Sequence, residues 1–286
     1  MACVPRPGSL LKRRRTWLLL AILLAGFALV AKGWHDTMAS PRVRNASVTL
    51  PGLDPAANPL TVALLSDVHV AGPDMPPARL SRIVAQVNAL EPDLVMIAGD
   101  VVSEKRTATH IYSAEEIVAP LSQLRAPLGV AVVPGNHDHW FDWSALRGEL
   151  HRHGIATLQN EARTFGPLAV GGVDDAYTRR DDLPLVLDAM DDLDGARLIV
   201  THSPDIFPQV PADVPLVLAG HTHCGQIRYP WGGAPATMSR YGNRFACGSV
   251  REGGKTIIVS AGLGTSLLPL RFGTQPEIWL ITLTSR

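Results

Sequence analysis

Cysteine is scarce in this chain: Cys3, Cys224 and Cys247 are the three present among 286 residues. So few cysteines build no disulfide framework, and stability has to come from an ordinary packed core. One pairing stays open, Cys224 with Cys247, if the domain is exported. Net charge is missing too, formally zero, but the balance is uneven along the chain. Residues 1–44 hold eight Lys/Arg and one acid, Asp36, which leaves 18 bases and 25 acids, a net of −7, for residues 45–286. An acidic main domain argues against nucleic-acid binding, which depends on basic side chains that neutralise phosphates. No internal repeat and no low-complexity stretch is visible. What is present is apolar: 46% of the residues are hydrophobic, enough for a full core in one large domain or two small ones.

The basic head has its own logic. Lys12-Arg13-Arg14-Arg15 precedes WLLLAILLAGFALVA, residues 17–31, an uncharged apolar run. A membrane span needs about 20 such residues, and Gly33 and Trp34 extend the run towards that length. The sequence predicts a signal-anchor over 17–34 behind a basic segment, 1–16. A cleaved signal peptide and a buried core helix are the alternatives, although Ala31-Lys32-Gly33 is a poor cleavage site. The positive-inside rule keeps the basic end, Cys3 included, in the cytoplasm and places the remainder of the chain outside, in the periplasm. Residues 35–59, rich in Pro, Gly and small polar residues, read as a linker, and 60–286 as the folded domain.

Within that domain, apolar runs end in polar residues. TVALLSD (61–67), DLVMIAGD (93–100) and GVAVVPGNHD (129–138) read as strands, the last running into a loop. Residues 76–90, 113–124 and 143–154 have helical spacing, the last closed by a glycine. LAVGGVDD, RLIVTHSPD, PLVLAGHTH, TIIVSAGLG and EIWLITL continue the strand series, with a short helix in LPLVLDAM. The alternation predicts an α/β domain, its sheets covered by helices.

Five strand ends carry metal-binding chemistry: Asp67-Val68-His69, Gly99-Asp100, Gly135-Asn136-His137-Asp138, Thr201-His202 and Gly220-His221-Thr222-His223. Residues two apart on an extended segment face the same side, so Asp67 and His69 can reach one ion. Ligands commonly bind at the carboxyl ends of strands in open α/β sheets. Each piece alone is an ordinary turn composition; five in one order are not.

In that order the motifs DVH (67–69), GD (99–100), GNHD (135–138), His202 and GHTH (220–223) resemble the signature of the calcineurin-like metallophosphoesterases. The resemblance runs from residue 61 to about 282 and implies a four-layer αββα sandwich. THSPDIFPQV, AGHTHCGQIRYPWGG and SAGLGTSLLPLRFGTQPEI are similar to the membrane-anchored or exported bacterial branch of that family. Some members of this branch resemble phosphodiesterases; others are similar to enzymes that cleave the pyrophosphate of UDP-2,3-diacylglucosamine.

Hydrolysing a phosphoester requires an activated nucleophile and charge neutralisation, and two metals about 3.5–4 Å apart supply both. Two carboxylates, Asp67 and Asp100, with the neutral donors His69, Asn136, His202, His221 and His223, suit Mn²⁺, Fe or Zn²⁺ better than Ca²⁺. The resemblance implies that Asp67, His69 and His223 hold one divalent ion, that Asn136, His202 and His221 hold the other, and that Asp100 bridges. It implies a metal-bridged hydroxide attacking a phosphodiester or pyrophosphate, lipid- or envelope-linked, with Mn²⁺ as the first expectation. His137 would face the substrate and stabilise the transition state, and Asp138 would orient His137. A cytoplasmic UDP-2,3-diacylglucosamine-type pyrophosphatase, a phosphomonoesterase and a non-catalytic metal-stabilised interaction module are the rival readings.

Residues outside the signature receive plainer expectations. His139, His151 and His153 read as surface or helix residues, and Asp174-Asp175 as a solvated loop. Arg271 reads as a phosphate ligand or a structural ion pair. Tyr229 and Trp231 line a substrate entrance or pack. Cys224 stands where the related branch carries glycine, so no ligand role transfers to it.

Overall fold

A computed structural model describes residues 7–285; Cys3 and the first part of the basic segment lie outside the described residues. Helix α1 (Pro7–Met38) is followed by strand β1 (Arg42–Thr49) and then the domain proper: β2 (Leu60–Leu65), α2 (Pro77–Asn88), β3 (Leu94–Ala98), α3 (Ala114–Leu121), β4 (Val130–Val133), α4 (Asn136–Phe141), α5 (Trp143–Arg152), β5 (Ala156–Thr157), β6 (Glu161–Phe165), β7 (Leu168–Val173), α6 (Leu183–Asp191), β8 (Ala196–Thr201), β9 (Leu216–Ala219), β10 (Gly248–Glu252), β11 (Lys255–Val259) and β12 (Glu277–Thr284).

The strands form two six-stranded sheets, ordered β1-β12-β2-β3-β4-β5 and β10-β11-β9-β8-β7-β6. Alternation along each strand sorts side chains between layers. Val62 and Leu64 of β2, with Leu94 and Met96 of β3, meet Leu198 and Val200 of β8 and Leu216 and Leu218 of β9 between the sheets. The opposite faces, Ala63, Leu65, Val95 and Ile97, pack beneath α2, α3 and α5 through Ile83, Val87, Ile117, Leu121 and Leu150. Behind the second sheet, Ile199, Val217 and Ile257 pack against Val186 and Met190 of α6 and against Phe207. The chain is therefore the expected four-layer αββα sandwich behind one apolar helix.

Three expectations are corrected. The segment 35–59 is not a free linker. Residues 42–49 form β1, an edge strand in parallel register with all of β12, from Arg42 opposite Glu277 to Thr49 opposite Thr284. Its local sequence, RVRNASVT, is polar because the strand is largely exposed, so its strand character comes from the backbone ladder and not from burial. The helix is longer than 17–34, and its last turns are built into the domain: Gly33, Asp36 and Thr37 are buried. Arg271 N–H donates to the Gly33 carbonyl at 3.1 Å, and Arg79 Nη2 donates to the Thr37 carbonyl at 2.6 Å. Gly33 suits this close approach, since a Cβ would stand 2.6 Å from the Phe272 ring, which would have to shift. Finally, GNHD does not continue as a loop but opens α4, a helix of six residues.

Candidate metal centre

The strand directions converge the motifs. β2, β3 and β4 are parallel neighbours, as are β8 and β9, so their carboxyl-end loops emerge side by side. The two sheets meet at this rim: His202 Nδ1 lies 2.8 Å from the Ala98 carbonyl at the end of β3. The turns are tight enough to force left-handed backbone at Asp67, His69, Asp100, His221 and His223, with φ of 48, 51, 52, 69 and 50°. Such conformations cost a side-chain-bearing residue on the order of 1 kcal/mol or more and concentrate at functional sites. Gly220 is fitted to the same crowding, because a Cβ would stand 2.5 Å from Asp67 Oδ2.

All seven residues read as candidate ligands come together. Asp67, His69 and His223 form one buried group, Asp100, His202 and His221 another, and Asp100 also groups with His69 and His137. His69 Nε2 faces His223 Nε2 at 3.0 Å, and His223 Nε2 lies 3.3 Å from Asp67 Oδ1. In the second group, His202 Nε2 is 3.1 Å from Asp100 Oδ2, 3.2 Å from His221 Nδ1 and 3.2 Å from Asn136 Oδ1. Ligands of one ion with bonds of about 2.0–2.1 Å stand roughly 3.0–3.4 Å apart, so both groups have the spacing and donor chemistry of a metal's first coordination sphere. Backbone carbonyls set the tautomers: Ala98 accepts from His202 Nδ1 at 2.8 Å and Met238 from His221 Nε2 at 3.2 Å, which leaves His202 Nε2 and His221 Nδ1 as free donors to an ion.

Burial with this charge density displaces the titrations. Burial pushes Asp67 up to about 6 and His221 down to about 4, the neighbouring His202 adding to the latter. Burial also holds His69 and His223 well below the usual imidazole range. Against the cost of burial, Asp100 and His202 stabilise each other as an ion pair, Asp100 well below and His202 well above their ordinary ranges. His69, His221 and His223 are thus held in the unprotonated form in which imidazole binds a cation, whereas an ion at His202 would take the place of its Nε2 proton.

The remaining signature residues divide differently from the expectation. His137 does not meet the Asp138 carboxylate. Its Nδ1 lies 2.8 and 3.0 Å from the two oxygens of Glu104. Asp138 instead accepts from the backbone N–H groups of Val101, Val102 and Gly135 at 2.8, 3.1 and 2.9 Å, stapling the β3 and β4 loops together. Burial and Asp100 push Asp138 up to about 7. Glu104 follows Asp100 by four residues with no local pattern to mark it. Ser266, whose Oγ is 3.5 Å from His137 Nε2, is likewise unmarked in the sequence.

Other residues are also reassigned. Arg271 is fully buried and neither ion-paired nor open to a substrate: its Nη2 donates to the Ala261 and Gly264 carbonyls at 2.8 and 2.5 Å and stands 3.4 Å from His223 Nδ1. Burial brings it down to about 10. His139 is a helix residue, on α4, but Asp174-Asp175 is not a solvated pair: His139 Nε2 lies 2.6 Å from a buried Asp174 oxygen, and Asp175 is buried as the cap of the turn at Tyr177–Thr178. Cys224 forms a disulfide with Cys247, Cα to Cα 4.5 Å. Tyr229 and Trp231 stack face to face, centroids 5.1 Å apart, and both are exposed.

The family described as calcineurin-like phosphoesterase matches residues 60–225, which contain every candidate ligand. The chain belongs to that family. Relatives of this phosphoesterase include a zebrafish transmembrane protein with a metallophosphoesterase domain, 31% identical over 98% of this chain and 68% of that one. A Caenorhabditis elegans metallophosphoesterase is 31% identical over 96% and 58%, and a Helicobacter pylori metallophosphoesterase 29% identical over 93% and 70%. The phosphoesterase thus spans just over half to about two thirds of the length of these relatives. Among solved structures, the Haemophilus influenzae NAD nucleotidase is similar at a TM-score of 0.49, 14% identical over 72% of this chain and 45% of that one. The family is one of metal-dependent phosphoester hydrolases, the class implied by the motifs.

Proposed function

We propose that this phosphoesterase holds two divalent cations, Mn²⁺ first and Fe or Zn²⁺ as alternatives, and hydrolyses a phosphodiester or pyrophosphate. Asp67, His69 and His223 would hold one ion and Asn136, His202 and His221 the other. The observation that carries the reading is Asp100, whose Oδ2 lies 3.1 Å from His202 Nε2 in one group and 3.6 Å from His69 Nε2 in the other. A carboxylate so placed can serve both ions. When bound, such a pair activates water and neutralises phosphoryl charge.

The chain's own contribution then lies with His137. Burial disfavours its charged form, but the hydrogen bond that His137 donates to Glu104 and the nearby Asp100 outweigh that and raise its titration above the ordinary imidazole range. Its Nδ1 proton is committed to Glu104, so Nε2 carries the proton that can be donated to a leaving oxygen. Asp138 keeps the loops that carry Asp100 and His137 in register.

A membrane-resident or envelope-linked phosphoester is the substrate class that fits the anchor. Within α1, the segment Lys12–Met38 contains an 18-residue window with mean hydropathy 2.0. Its burial against the domain from Gly33 onward supports an uncleaved anchor. The basic Lys12–Arg15 cluster favours a cytoplasmic N-terminus, and the Cys224–Cys247 bond favours an oxidising compartment for the domain. Both weigh against the cytoplasmic pyrophosphatase reading.

The test is turnover of bis-p-nitrophenyl phosphate with added Mn²⁺, abolished in Asn136→Ala and His137→Ala. Bound metal without turnover on a broad phosphoester panel would instead indicate a metal-stabilised interaction module. A faster rate on monoesters than on diesters would make the protein a phosphomonoesterase. An alkaline phosphatase fusion after Ser40 that is inactive in cells would overturn the exported orientation.

A further inference from the structure

The last turns of α1 lie against the surface loop 263–273, which is joined to a second loop, 226–238. Phe272 and Leu270 pack on Gly33, and Arg271 N–H binds the Gly33 carbonyl. The loops are tied to each other: Arg228 N–H donates to the Phe272 carbonyl at 2.8 Å, and Gln226 Nε2 donates to the Leu268 and Leu270 carbonyls at 2.9 and 3.0 Å. They therefore form one platform at the foot of the membrane helix.

Its outward side chains are those a soluble surface avoids. Trp231 is 81% and Leu267 68% exposed, and Leu268, Tyr229 and Ile227 are exposed as well. Although residues 45–286 carry a net charge of −7, the two loops contain no Asp or Glu, and Arg228 sits among the aromatics. Contiguous apolar surface of this kind marks an interaction site. Tryptophan and tyrosine with a basic neighbour are the composition of a membrane–water interface.

We propose that this platform is a second membrane contact, in which Trp231, Tyr229, Ile227, Leu267 and Leu268 enter the headgroup region of the leaflet from which α1 emerges. The occupant is the lipid bilayer because the platform is continuous with the apolar helix: Gly33 packs under Phe272 three residues after Val30, the end of the exposed apolar run, and the neighbouring Trp34 is exposed as well. With α1 fused to the domain through Gly33 and Thr37, no slack separates the platform from the bilayer surface. Ser266, one residue before Leu267, lies 3.5 Å from His137, so docking holds the metal centre beside the lipid headgroups. The contact does not depend on the phosphoesterase reading.

The full chain in nanodiscs of phosphatidylethanolamine and phosphatidylglycerol, with and without lipids brominated in the upper acyl chain, tests it. Emission from Trp231 is obtained as the difference between the wild type and Trp231→Phe, an exposed change that the fold tolerates. Residues seated at the headgroup–acyl boundary are within reach of such quenchers, so brominated lipid should reduce this emission by about half, while aqueous iodide should leave it nearly unchanged. Emission that is indifferent to brominated lipid and quenched by iodide overturns the proposal, as does protection from both quenchers, which would indicate a protein partner. Lipid quenching in a preparation that fails to turn over bis-p-nitrophenyl phosphate supports the membrane contact and counts against the hydrolase reading alone.

Discussion

Glu104 and His137 form a carboxylate–imidazole pair, Oε2 to Nδ1 2.8 Å, beside the candidate metal ligands His69 and Asp100. The pair raises the His137 titration. Glu104→Gln keeps the shape and removes the charge, so His137 should lose its proton at lower pH. The basic limb of the pH–rate profile should move down, and kcat should fall by about tenfold or more. An unchanged profile would show that Glu104 does not act through His137.

Asp100 is the carboxylate common to both groups of candidate ligands. Asp100→Asn should lower bound metal per chain, measured by inductively coupled plasma mass spectrometry. Activity should fall by at least about a hundredfold. Retention of full metal content and rate would exclude Asp100 as a shared ligand.

Metal removal should also be visible without any substrate. A ligand that binds only the folded state stabilises it by about 2.7 kcal/mol at a hundred times its Kd. Chelation should therefore lower Tm, and Mn²⁺ should restore it. A Tm indifferent to both treatments would count against a metal in this cluster.

Cys224 and Cys247 close a loop with a sequence separation of 23 that contains Met238, whose carbonyl orients His221. Reduction should lower stability by roughly 3 kcal/mol on a chain-entropy account. Cys224→Gly should leave metal content intact, because Cys224 is bonded to Cys247 and its φ of 54° suits glycine. Loss of one metal equivalent in this variant would make Cys224 a ligand.

Gly33 is the point where α1 meets the domain. In Gly33→Val, the Phe272 ring must move, at a cost of about 1–3 kcal/mol. The expected readout is a lower unfolding temperature and faster trypsin cleavage at Lys32 of the full chain in micelles. Unchanged cleavage would mean that the helix and domain are not packed as described.

The sequence by itself determined the class of fold and the inventory of candidate ligands. Both are local signals: apolar runs of strand length end in Asp, Asn or His beside glycine, and each such end is readable within a few residues. Fold-level packing followed from alternation, which sorts Val62 from Ala63 without reference to any partner. Only the tertiary structure decided which carboxylate serves His137, because Glu104 is indistinguishable in sequence from a solvated acid until the β3 and β4 loops meet. It also decided that His139 is buried on Asp174, and that the polar segment 42–49 is a strand through its ladder to β12, some 230 residues away in the chain. The same holds for α1, which the sequence presents as a signal-anchor joined to the domain through a linker. Its junction with the domain depends on Phe272 and Arg271, contacts across more than 200 residues that no local pattern encodes.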